Sequence, residues 1–188
     1  MDILTYILRC LYFFLPAYFV NMTPPLARKA NLFNFLDKEI DFGKKFLGQP
    51  ILGSHKSWRG AILGIVVGLL VVLAQSCLYR FPAIQKISLL DYGQINIFLF
   101  GFLISTGAVF GDLLFAFIKR RLKMEPGVRF IPFDQTNYVI GSAIFLTAIL
   151  KIETINWITW ATLFILTFLL HIIANRIGYY LKINRAKW

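Results

Sequence analysis

Histidine and cysteine are scarce in this chain, two of each among 188 residues, and that scarcity removes several classes of chemistry at once. Cys10 and Cys77 both fall inside apolar stretches, where cysteine serves as a small apolar residue, so neither a disulfide framework nor a thiolate metal site is expected. With only His55 and His171 available, there is no H-E-x-x-H zinc motif and no Ser-His-Asp set. Neither G-x-S-x-G nor the phosphate loop G-x-x-x-x-G-K-[ST] occurs. Acidic residues are also few, 9 against 20 lysines and arginines, for a net charge of +11. Those cations stand between apolar blocks instead of forming an arm or a helical stripe, which argues against nucleic acid as a partner. No internal repeat or low-complexity tract is present.

Apolar surface is what the chain has in abundance. Hydrophobic residues make up 58% of it, with 19 phenylalanines, and its mean hydropathy is +0.68. That composition predicts a single-domain, all-α integral membrane protein over residues 1–188. A bilayer core of about 30 Å takes roughly 20 apolar helical residues to cross, and five stretches approach that length: Ile3–Val20, Ala61–Tyr79, Ile95–Ile118, Thr136–Leu150 and Trp157–Ala174. The fourth is the shortest. Arg9 interrupts the first, and no small-residue cleavage site follows it, so the first stretch is expected to stay as an anchor rather than act as a signal peptide.

Lysine and arginine near span ends set orientation, because they accumulate on the cytoplasmic side. The first and third loops and the C-terminal tail hold seven, five and four of them, against two and one in the second and fourth loops. Five spans with this bias place the N-terminus outside and the C-terminus inside. The two long polar loops, and any chemistry, then face the cytoplasm across a multi-pass cell-membrane protein. The first loop, Asn21 to Gly60, is too long for a connector. Its Pro24-Pro25 pair predicts a helix stop, and Leu26, Ala30, Phe33 and Leu36 then recur at helical spacing, as in a helix lying in the interface, with a soluble hairpin as the alternative.

Three segments of that face carry the residues able to do chemistry. "GSHKSWRG", from Gly53 to Gly60, precedes the second span, where free helix N–H groups with Lys56 and Arg59 one turn apart suit a phosphate. Positive-inside anchoring explains the same cations without a ligand. "GDLLFAFIKRR" ends the third span: Asp112 lies in an apolar run, where a carboxylate is costly, with Lys119 seven residues on along the same helical face. Lys119, Arg120 and Arg121 also suit the negative end of a helix dipole. Pro126-Gly127 predicts a turn, and Asp134 stands where a helix N-cap is expected. Together Asp112 and Asp134 with Lys56, Arg59, Lys119, Arg120 and Arg121 form an inventory suited to Mg²⁺ and a polyphosphate. His171 and Asn175, one turn apart on the last span, suit either a base or sugar, or hydrogen bonding between helices. Gly60, Gly64 and Gly68 suit a helix-packing seam, within the chain or between two copies.

These motifs in order, Asn21-Met22 with Pro24-Pro25, "IDFGKKFLG", "GSHKSWRG", "GDLLFAFIKRRL", "PG" at 126–127, "PFDQ" at 132–135 and the His171/Asn175 pair, resemble the archaeal CDP-archaeol synthases and their bacterial relatives. That family is a branch of the CTP-using membrane cytidylyltransferases, which include phosphatidate cytidylyltransferase. The resemblance implies CTP and a lipid phosphate as substrates, Mg²⁺ as cofactor, and CDP-lipid and pyrophosphate as products. It implies catalytic roles for Asp112, Lys119 and Asp134, the two aspartates holding the metal. It implies CTP or substrate contacts from Asn21, Lys56, Arg59, Lys119, Arg120, Arg121, Gln135, His171 and Asn175. Ala116 stands where members commonly carry serine, and Ser57 where threonine is usual. The glycine- and aspartate-rich run of the broader cytidylyltransferases is not reproduced by "VRFIPFDQ". A CTP-dependent lipid-alcohol kinase, and a non-catalytic transporter or assembly subunit with Asp112 as an ion site, are the rival readings.

Overall fold

The computed structural model describes residues 2–125, 128–150, 152 and 154–180. The expected Pro126-Gly127 turn and the basic tail residues Lys182, Arg185 and Lys187 lie outside them. Six helices carry the described chain: α1 (Ile3–Lys29), α2 (Trp58–Leu78), α3 (Pro82–Ile87), α4 (Ile97–Arg121), α5 (Phe133–Ile149) and α6 (Trp157–Tyr180), with a two-stranded antiparallel hairpin, β1 (Lys45–Phe46) and β2 (Gln49–Pro50), in the first loop. Four of them, α1, α2, α4 and α6, are long and apolar enough to cross a bilayer. At 17 residues, α5 spans only about 25 Å.

One face of α2 is built of small residues that let its neighbours approach closely, an arrangement expected between helices in lipid. On α2, Gly60, Gly64 and Gly68 are buried while Ile62, Val66 and Leu70 are exposed. A side chain on Gly60 would crowd Pro24, one on Gly64 would crowd Val20, and one on Gly68 would collide with Ser105. The glycine seam thus packs α2 on α1 and α4 within one chain. The α4/α5 crossing is tighter still: a Cβ on Gly111 would strike the Asn137 carbonyl, and one on Gly141 the Gly107 carbonyl. Phe13, Phe14, Phe100 and Ile104 fill the centre, with Phe14 stacked on Tyr138 at 5.9 Å. Tyr6 pairs with Thr159 at 3.2 Å and Tyr18 with Thr167 at 3.0 Å, so α1 and α6 run in the same direction.

The first loop departs from the expected interfacial helix. Instead of stopping at Pro24-Pro25, α1 continues through both prolines to Lys29. Proline removes the donor that would bond the carbonyl four residues back. Within a membrane bundle the neighbouring helix compensates, and here Gly60 lets α2 seat directly on Pro24. Beyond α1 come a 3-10 turn at Asn34–Leu36 and the hairpin. The segment before the hairpin is tied back by Ile40 N–H to the Lys56 carbonyl at 2.9 Å and Trp58 N–H to the Lys38 carbonyl at 3.0 Å. The loop is therefore a folded cap over one end of the bundle.

Candidate active site

Asp112 and Ala116, one turn apart on α4, and Lys119 and Arg120 at its end line a single cleft of about 110 Å³ with Lys56, His55 and Gly53 from the first loop and Asp134 and Asn137 from α5. The close α4/α5 crossing explains the convergence. Because Gly111 has no side chain, the turn carrying Asp112 comes against the turn carrying Asn137, and the Asn137 amide donates to Asp112 Oδ1 at 3.3 Å. Lys56 Nζ donates to both Asp112 oxygens at 2.7 Å. Lys119 Nζ reaches Asp134 at 3.0 and 2.8 Å. Lys119 thus shares the face of Asp112, as its spacing predicts, but pairs across to α5. Asp134 is not the N-cap expected of it: α5 begins at Phe133, and the carboxylate accepts from the Phe130 amide at 2.8 Å.

Arg120 differs from every other cleft cation. It is only 5% exposed, and its Nε is buried without an acceptor among the described residues. Leaving a buried charged donor unmet costs free energy that an anion would recover. Gly53, at φ +97, brings backbone against this side chain, since a Cβ there would lie 3.9 Å from Arg120 Cδ.

Several residues expected at the site are placed elsewhere. Arg59 lies one turn beyond Lys56 but is turned inward, 3% exposed, bonding Asn34 at 2.8 Å and Asp37 at 2.9 Å, so it clasps the first loop onto α2. Arg121 binds the carbonyls of Phe46, Gln49 and Pro50 and stacks over the Phe46 and Phe117 rings, which secures the hairpin to α4. Gln135 is on α5 outside the cleft lining, with its Oε1 buried and without a partner among the described residues. His171 lies against the Tyr138 ring at 6.4 Å, and neither it nor Asn175 lines the cleft. Asn21 lines an adjoining hollow of about 210 Å³ with Ser57, His55, Lys56 and Asp112. The Lys56–Asp112 pair forms the shared wall of the two spaces. Ser57 caps α2, its hydroxyl accepting from the Gly60 amide at 3.4 Å.

Three cleft-shaping residues escaped the sequence reading. Asn137 had a signal, lying one turn beyond Asp134 on the same face. His55, inside "GSHKSWRG", is counted among the histidines but given no place at the site. Asp41, within "IDFGKKFLG", accepts from the amides of Leu52 at 2.8 Å and of Gly53 and Gly43 at 3.2 Å. Burial alone would raise its carboxyl pKa, but these N–H donors outweigh that and hold it below the usual carboxylate range.

The two carboxylates can be tested as metal ligands on their donor chemistry. No cluster of three or more acidic, histidine or cysteine side chains able to hold an ion occurs among the described residues. A dedicated protein cage is thereby excluded there, and with it a typical Ca²⁺ or Zn²⁺ site. One or two carboxylates beside cations that hold phosphate are, in contrast, what Mg²⁺ uses when the substrate supplies the remaining oxygens. Asp112 and Asp134 fit that pattern.

The comparisons agree with one another. A family model described as CarS-like, CDP-archaeol synthase, matches residues 3–188. The CDP-archaeol synthase of Pyrobaculum islandicum is 36% identical over 182 residues, covering 95% of this chain and 98% of that protein. That of Pyrococcus furiosus is 33% identical, covering 97% and 98%, and that of Methanocaldococcus jannaschii 34%, covering 95% of each. A solved structure of an intramembrane enzyme for archaeal membrane lipids biosynthesis shares the fold, with a TM-score of 0.72 at 24% identity over 90% of this chain and 94% of that one.

Proposed function

The chain belongs to the CDP-archaeol synthase family, and from that premise we propose how its cleft transfers a cytidylyl group from CTP to a lipid phosphate. An oxygen of the lipid phosphate attacks the α-phosphorus of CTP, the bond to the β-phosphate oxygen breaks, and pyrophosphate leaves in line. Both reactants are anions, so their repulsion is the first barrier. Lys56, Lys119 and Arg120 offset it by holding phosphate oxygens, with Arg120 set for this role by its buried, unmet donor. No strong general base is required, because a phosphate monoester with a second pKa of about 6 is already ionised near neutrality. Positioning and charge stabilisation then carry the acceleration.

Asp112 and Asp134 would hold Mg²⁺, which would supply charge neutralisation to the triphosphate and the departing pyrophosphate. Lys56 and Lys119, now paired with those carboxylates, would exchange carboxylate for phosphate oxygens as the nucleotide arrives. The observation that carries this reading is the convergence of both aspartates on one cleft beside Arg120. The cleft is read as cytoplasmic from the lysine and arginine bias. α5 starts at the cleft and α6 returns parallel to α1, which supports α5 as a fifth, short crossing and an outside N-terminus.

The test is incubation of purified protein with labelled CTP, Mg²⁺ and a panel of ether and ester lipid phosphates together with the corresponding lipid alcohols. CDP-lipid and pyrophosphate are expected. Release of CDP with a phosphorylated lipid would identify a kinase instead. Asp112→Asn should abolish CDP-lipid formation while membrane insertion is retained, and near-normal turnover in that variant would overturn the assignment.

A further inference from the structure

Outside the cleft, Pro24, Pro25, Arg28, Lys29 and His55 line a separate basic hollow of about 370 Å³. Arg28 and Lys29 end α1 and are exposed. Unlike Lys56, Arg59, Lys119 and Arg121, they make no side-chain hydrogen bond or ion pair among the described residues. The hollow adjoins the cleft through shared lining residues. Pro24, Pro25 and His55 also line the space holding Asn21 and Ser57, and His55 lines the cleft itself. On its other flank Lys29 also borders an apolar groove between α1 and α2 that includes Phe19, Leu26, Phe33 and Leu63.

We propose that this hollow is a docking subsite for the phosphate head of the incoming lipid, in which Arg28 and Lys29 capture the anion and His55 lies on its path to Lys56. The proposal rests on the reading of the protein as a cytidylyltransferase acting on a lipid phosphate. Its physical basis is that such a substrate arrives from the bilayer, with its chains in hydrocarbon and its charge at the surface. A hollow bordered by apolar groove on one side and cleft on the other, with two uncommitted cations between, matches that route. CTP arrives from water and has no need of it.

The experiment measures apparent KM for lipid phosphate and for CTP in micelles of one neutral detergent, for the wild type, for Arg28→Ala/Lys29→Ala, and for a control with equal charge loss on the exposed hairpin, Lys44→Ala/Lys45→Ala. The Arg28/Lys29 variant should raise KM for lipid phosphate at least about fivefold and leave KM for CTP unmoved, and Arg28→Lys/Lys29→Arg should restore it. The hairpin control should leave both constants unmoved. Inorganic phosphate should compete with the lipid in the wild type, and more weakly in the alanine variant. An unchanged lipid KM, a parallel rise in KM for CTP, or an equal effect in the hairpin control would overturn the proposal. If the wild type itself makes no CDP-lipid, the cytidylyltransferase reading fails instead.

Discussion

Neighbouring arginines at the end of α4 illustrate how little a residue's type says about its task. Arg120 and Arg121 are about 100° apart around the helix. That rotation puts one guanidinium in the cleft and the other under three hairpin carbonyls; the Nε of each is buried without an acceptor among the described residues, but only that of Arg120 belongs to a residue lining the cleft. A hydrogen bond to a charged group contributes about 1.5 to 3 kcal/mol, so Arg120→Ala should raise KM for CTP by roughly tenfold or more. Arg121→Ala should leave that constant nearly unchanged and instead loosen the hairpin, seen as faster amide exchange at residues 45–50. Asp41 acts at the same scale. Its folded pKa lies below the unfolded value near 3.9. Its stabilisation of the loop is therefore complete above that value and is lost as pH falls through the lower folded pKa. The Leu52 and Gly53 amides should exchange slowly at neutral pH and lose protection below about pH 4. Asp41→Asn should show the unprotected rate already at neutral pH.

Among the elements, the α4/α5 crossing decides whether the cleft exists. Its glycines bring backbone against backbone, and that contact aligns Asp112 with Asn137 and, one turn away, Asp134. Overpacking a close-packed contact costs about 1 to 3 kcal/mol. Gly111→Ala should therefore lower the melting temperature in detergent and also reduce turnover out of proportion to the stability lost, because it separates the two carboxylates. Thermal melts and kcat on the same preparation check this. The first loop is the other deciding element. It is long in sequence, yet its backbone bridge to Lys56 and Trp58 and the Arg59 clasp onto Asp37 leave Lys56 held over the bundle end.

For the whole molecule, the distribution of lysine and arginine predicts a membrane orientation, and labelling can test it. In a background lacking Cys77, a membrane-impermeant thiol reagent applied to sealed right-side-out vesicles should label Gln94→Cys and spare Lys45→Cys. Inverted vesicles should give the opposite result. Labelling of both positions from one side would contradict the orientation.

Composition and patterning alone determined the membrane class, four of the long helices and, through several motifs in order, the family, and they singled out Asp112 and Lys119 of α4, which the structure places in one cleft. Apolar length and the placement of lysine and arginine are one-dimensional properties that bilayer thickness reads directly. The tertiary structure alone decided which cations meet the cleft. Lys56 and Arg59 differ by one turn, and Arg120 and Arg121 by one residue, yet each pair splits between cleft and scaffold. It also decided that α1 runs through Pro24-Pro25, because the carbonyls freed by proline and the glycine face of α2 meet only once the helices pack. Side-chain partners come from segments distant in the chain, Lys56 with Asp112 and Lys119 with Asp134, and local spacing carries no information about which of several like charges will reach them.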